Sequence, residues 1–157
     1  MQHALPFRLD PATRSVALAA FNTRHEIVWF GFKGVFEEPW AATIQFRPTK
    51  PGMLGGGGTS AVNGGVIAAG FDAAMVLAGL GHYDTDVVVT LELAVQFLSL
   101  AHARDGLMFR AGVVRSTRHL AFVEAQLLGA AGPGAPLATA RGMVAPRQPD
   151  AGAASRR

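Results

Sequence analysis

The chain contains no cysteine, which excludes disulfides, thiolate metal sites and a cysteine nucleophile in one step. Lysine is nearly absent: only Lys33 and Lys50 occur, and arginine supplies the remaining side-chain positive charge. The net charge of +3 is small and its basic residues are scattered. Nucleic-acid binding needs a continuous basic stripe with interleaved aromatics. No such stripe is visible, so no nucleic-acid partner is expected. Although 50% of the residues are hydrophobic, no uninterrupted apolar run approaches a membrane span, and no membrane partner is expected. The start, Met1 to Pro6, lacks a signal-peptide apolar region, so a cytoplasmic location is expected. His82, His102 and His119 show no metal-ligand spacing, and no metal is assigned to them.

What is present is one stretch around which the rest is organised, Asn63 to Ala78. It follows the glycine run Gly55 to Gly58, opens with Asn63 at an N-cap position, and is apolar nearly all round. Such a helix belongs inside a core. Between Pro51 and Tyr83 the only Asp, Glu, Lys or Arg is Asp72. A carboxylate in those surroundings is costly unless it is paired or hydrogen-bonded, and it marks a candidate site. The four glycines lack the Gly-Lys-Ser/Thr ending of a phosphate loop and the spacing of a dinucleotide fingerprint. They suit a backbone passing close to a ligand or a facing subunit.

Around this helix the patterning is β-like. Asp10-Pro11 caps a short helix through Ala20, with Leu9, Val16, Ala17 and Ala20 as a weak apolar stripe. Ile27 to Phe36 and Ala41 to Phe46 read as two strands. Trp29, Phe32 and Trp40 are core or ligand-pocket residues in this reading, with the core favoured. Val87 to Ser99 alternates, with Val87, Val89, Leu91, Leu93, Val95 and Phe97 on one face and Thr90, Glu92 and Gln96 on the other. Leu107 to Ser116, Leu120 to Leu128 and Leu137 to Ala145 give three further strands, with Arg110 and Glu124 expected to pair across neighbours. An α+β fold follows: an antiparallel sheet wrapped around one long central helix. The expected organisation is an N-terminal extension at 1–24, a domain at 25–146 and a disordered tail at 147–157.

Asn63-Gly64-Gly65 with an acid nine positions after the Asn, then Val88-Val89-Thr90-Leu91-Glu92-Leu93, then Arg115-Ser116-Thr117-Arg118, resembles the PaaI-like hotdog-fold acyl-CoA thioesterases. The resemblance runs from about Trp29 to Pro146. Asn63 stands where that group usually has His, and the upstream Asn or Gln of many members is missing. The resemblance implies the hotdog fold and hydrolysis of an acyl-CoA thioester, with an aryl or medium-chain acyl group. Coenzyme A is then part of the substrate, and no separate cofactor is implied. Asp72 becomes the general base or nucleophile, and the Gly64 and Gly65 backbone N–H groups become oxyanion donors. Thr90 matches the residue that helps hold water. Asn63 either orients the thioester carbonyl or simply caps the helix. Arg115 and Arg118 match contacts to the coenzyme A phosphates.

Given that assignment, spacing dictates assembly. Gly64 and Asp72 are eight residues apart, about 12 Å along a helix. Both must approach one reacting group, and an Asp side chain cannot close that gap on its own helix. They converge if the central helices of two subunits run antiparallel, which predicts a homodimer with shared sites. Two dimers pairing into a homotetramer is the further expectation. A hydratase acting on 3-hydroxyacyl thioesters would use His, and none occurs between His25 and His82. A non-catalytic acyl-CoA-binding hotdog domain is the alternative. Phe71, Met75, Phe97 and Phe109 are candidates to shape an acyl pocket and equally good core residues.

Overall fold

Asp10 starts the first helix as expected, its carboxylate accepting hydrogen bonds from Ala12 N and Thr13 N at 2.9 and 3.0 Å. The computed structural model describes residues 3–46, 48, 50–55, 60–103, 106–129 and 134–147. Its elements are helices α1 (Pro11–Asn22) and α2 (His25–Phe30), strands β1 (Phe32–Glu37) and β2 (Ala41–Phe46), helix α3 (Gly64–Leu80), and strands β3 (Val88–Phe97), β4 (Leu107–Ser116), β5 (Ala121–Gly129) and β6 (Ala138–Pro146). The strands form one antiparallel sheet in the order β1-β2-β4-β5-β6-β3. Helix α3 touches all six strands. This is the hotdog architecture.

From Gly70 to Leu80 every residue of α3 except Asp72 is buried. Phe71, Met75 and Leu77 are fully enclosed against Ile44, Phe109 and Leu127 of the sheet core. Each such side chain contributes roughly 1.5–3 kcal/mol of burial relative to exposure. The close approach of helix to sheet needs Gly70, where a Cβ would sit 2.2 Å from the Phe109 ring. The pairing of β6 with β3 likewise needs Gly142, where a Cβ would lie 2.1 Å from the Glu92 carbonyl oxygen.

Several expectations are corrected. Ile27 to Phe30 is helical, not extended: α2 ends at Gly31, which adopts the left-handed conformation at φ 70°, and β1 begins only at Phe32. Trp29 is exposed and Trp40 half-buried, whereas Phe32 is core. The first helix runs on to Asn22, whose side-chain amide brackets Gly34 N and O at 2.7 and 3.1 Å. Arg110 does not face Glu124. The register sets Arg110 opposite Gln126 and Glu124 opposite Gly112, and Arg110 instead reaches Glu37 at 3.5 Å while stacking on Trp40. Phe71, Met75 and Phe109 are core residues without a share in any open cavity described below, and Phe97 is exposed. Gly56 to Gly58 and the tail after Arg147 lie outside the described residues.

The alternation along β3 is broken as well. A register shift between Thr90 and Glu92 marks a β-bulge. Before it Val88 and Thr90 are turned inward, and after it Leu93 and Val95 pack against the core. Val89 and Leu91 are exposed. One extra residue moves the side chains to the opposite face, so Thr90 shares the inner face with Leu93 and Val95.

Candidate active site

At the start of α3, Asn63 is extended (φ −61°, ψ 137°) and its Oδ1 accepts a hydrogen bond from Gly65 N at 2.7 Å. Asn63 therefore caps the helix in this chain. The Gly64 N–H, at the first helical position, has no intrahelical acceptor. The Phe97 ring lies beside Gly64, 3.3 Å from where a Cβ would stand.

Asp72 lies two turns further on. Its carboxylate faces a cavity of about 500 Å³ between α2, α3 and the beginning of β3. Ile27, Phe30 and Phe32 wall this space from one side, and Ala73 and Val76 from α3. Thr90 enters from β3 because of the bulge. Asp72 forms no hydrogen bond or ion pair among the described residues. The Thr90 hydroxyl is buried and likewise has no partner. Buried polar groups are normally satisfied, so an orphaned Thr90 hydroxyl beside a half-buried, unpartnered carboxylate in a single cavity points to something that enters it.

The same cavity holds two residues that the sequence reading missed, Arg24 and Glu26. Arg24 Nη2 donates to the Asp86 carbonyl at 2.8 Å, and its guanidinium lies 5.4 Å from the Phe21 ring centre. They were missed because α2 spans only six residues, too few for helical periodicity to show. The signal available was Gly31, a helix-ending glycine directly after Trp29-Phe30.

The remaining candidates lie elsewhere. Arg115 and Arg118 are exposed at the β4–β5 turn. That turn is tied to the other end of α3, where the Tyr83 hydroxyl donates to the Thr117 carbonyl at 3.1 Å. Leu80, the last residue of α3, is about 12 Å beyond Asp72, as Gly64 is about 12 Å before it. One chain thus brings Asp72 and Thr90 together and keeps the glycines and the two arginines at opposite ends. Strand β3 stands at the sheet edge, paired only with β6 among the described residues, and it carries exposed Val89, Leu91 and Phe97. Leu98 and Leu100, just beyond it, are also exposed.

His82, buried after α3, has both ring nitrogens without partners among the described residues. Burial, with the charge of Arg8 nearby, pushes its pKa down to about 4. Among the described residues no group of His, Asp and Glu side chains is arranged to hold a metal, and no helix is long and apolar enough to cross a membrane.

Residues 59–131 match the family model described as the thioesterase superfamily. The match covers 73 of the 157 residues, helix α3 and strands β3 to β5. Among solved structures, the chain is similar to the Escherichia coli PaaI protein from the phenylacetic acid degradation operon, at 17% identity over 87% of this chain and 95% of that one, with a TM-score of 0.73. A thioesterase family protein from Silicibacter pomeroyi is 20% identical over 84% of this chain and 96% of its own, with a TM-score of 0.70. A mutant thioesterase from Pseudomonas aeruginosa is 17% identical over 90% and 97%, with a TM-score of 0.72. These likenesses concern the fold. No curated protein matches the chain.

Proposed function

We propose that this protein is a thioesterase that hydrolyses acyl-CoA, with Asp72 and Thr90 of one subunit and the start of α3 from a facing subunit forming each site. The observation that carries the reading is the unpartnered Asp72 carboxylate in an apolar-walled cavity beside the orphaned Thr90 hydroxyl. A water held between them meets the two needs at once. Asp72, as general base, takes its proton while the oxygen adds to the thioester carbonyl. The tetrahedral oxyanion is received by the Gly64 and Gly65 N–H groups and the positive end of the facing helix, with the Gly65 donor shared with its Asn63 cap. Collapse breaks the C–S bond, and the coenzyme A thiolate takes the proton from Asp72 to leave free thiol and acid. Direct attack by Asp72, giving an anhydride that water then opens, produces the same products.

The apolar edge of β3 supports a second copy as the partner that completes the site, since an open edge with exposed Val89, Leu91 and Phe97 invites strand pairing. A homodimer is the smallest active unit in this reading, and pairing of dimers into a homotetramer is its extension. In this reading Arg115 and Arg118, exposed at the β4–β5 turn, contact the coenzyme A phosphates. The cavity walls suit an aryl or medium-chain acyl group.

Asp72→Asn is the test. It keeps size and polarity but cannot accept the proton. Turnover measured by free-thiol release is expected to fall at least roughly a hundredfold, with substrate binding and melting temperature near parental. Parental turnover in this variant contradicts the assignment.

A further inference from the structure

The cavity that holds Asp72 has a second polar end. Arg24 enters it from the start of α2, half-buried and oriented by two contacts: the Asp86 carbonyl at 2.8 Å and the Phe21 ring at 5.4 Å. No carboxylate pairs with it among the described residues. Its neighbour in the cavity, Glu26, is exposed and makes no ion pair with it. The guanidinium has five donors in a fixed fork, and only one is engaged by a protein acceptor. A group held in place yet left with free donors is pre-organised for an acceptor that arrives with a ligand.

Its place in the cavity says which part of the ligand that is. Asp86, the anchor of Arg24, precedes Thr90 by four residues, at most about 13 Å of extended chain. On α3 the cavity is lined by Ala69, Asp72, Ala73 and Val76. With Asp72 and Thr90 as the reacting end, Arg24 is the cationic group of the remaining wall, whose apolar side chains include Ile27, Phe30 and Val76. A cavity of about 500 Å³ has room for a single ring with a para substituent.

We infer that Arg24 is a specificity-determining residue of this thioesterase, donating hydrogen bonds to an acceptor, neutral or anionic, at the distal end of the acyl group. The inference rests on the proposed reading of Asp72 as the reacting end of the cavity. It also gives α2 a role: the short helix presents Arg24 from its N-terminal side and supplies the apolar wall from its other residues.

The test compares three para-substituted coenzyme A thioesters, 4-methylbenzoyl, 4-hydroxybenzoyl and 4-carboxybenzoyl, on the parental protein and on Arg24→Gln. The readout is the kcat/KM of each acceptor-bearing thioester divided by that of the 4-methyl control, compared between variant and parent. This quotient cancels both the electronic effect of the substituent and any uniform loss from altered packing. Arg24→Gln is expected to lower it about tenfold or more for at least one acceptor, with Arg24→Lys falling in between. The hydroxyl and carboxylate arms tell a neutral acceptor from an anionic one. Hydrolysis with a quotient that does not move overturns the role of Arg24 and leaves the hydrolytic reading standing. No hydrolysis of any of the three overturns both.

Discussion

Two charged side chains sit in largely apolar surroundings in this fold, and they are treated in opposite ways. Arg14 on α1 is only 5% exposed, and it is satisfied on every side. Its Nε donates to the Leu9 carbonyl at 3.0 Å, it forms an ion pair with Glu38, and its guanidinium lies 4.5 Å from the Phe7 ring centre. Asp72 on α3 has none of this. Helix α3 brings it to a cavity, where it has no partner among the described residues. The difference separates two uses of a charge in an apolar setting. A satisfied one fixes structure, here the docking of the N-terminal arm, whereas an unsatisfied one marks a place where a ligand completes the bonding.

Substitutions can sharpen that contrast. The largest effect falls on Asp72→Asn, at least roughly a hundredfold in turnover with little change in melting temperature. The next concerns pH and another group, the buried His82. Its folded pKa is lowered to about 4, below the ordinary value of 6.5, so between those values the unfolded chain binds a proton that the folded chain does not. Stability is therefore lost as pH falls from 6.5 toward 4, by about 3 kcal/mol at most, and is unaffected by this group above 6.5. Urea titrations of the parent and of His82→Phe across that range should diverge, the variant showing the flatter dependence.

Arg14→Met should reverse the pattern of Asp72→Asn. Glu38 stays largely solvated, so no buried charge is stranded, and the loss is that of charge-assisted bonds, about 1.5–3 kcal/mol. Unfolding midpoints should drop while turnover per folded molecule stays parental. An equal loss of turnover would place Arg14 with the site. The smallest effect belongs to the exposed turn. Arg118→Ala, and more weakly Arg115→Ala, should raise KM for acyl-CoA roughly tenfold and hardly alter hydrolysis of a short thioester without the nucleotide. Equal losses on both substrates would make these arginines structural.

How much of this was legible in the sequence follows from which forces act locally. Asn63-Gly64-Gly65, the apolar run after it and the lone Asp72 are local signals, and α3 forms where they predict. Alternation located β2 and β4 to β6 within a residue or so. The two failures have non-local causes. Ile27 and Val28 favour strands by propensity, yet α2 forms because Ile27 is buried against the core and Gly31 permits the turn into β1. The bulge after Thr90 lies where the Glu92 carbonyl comes against Gly142, a contact between distant segments. Both failures bear on the cavity: one hid Arg24 and Glu26, and the other gave Thr90 the wrong face. The pairing of Arg110 with Glu37 failed to show for the same reason, because register is set by the whole sheet.

The central claim is that each site is divided between two subunits, and mixing of variants tests it most directly. Gly64→Pro removes one N–H from the start of α3 at a position where proline suits a helix, and the preceding Asn63 is already extended. Asp72→Asn removes the base. Each homodimer should be nearly inactive. In a heterodimer of the two, the Asp72 of one chain faces the intact Gly64 N–H of the other, so one of the two sites is restored. Equal mixing with random exchange should then recover about a quarter of parental turnover. If native mass spectrometry shows that heterodimers have formed and turnover stays at the level of the inactive parents, the shared site is contradicted.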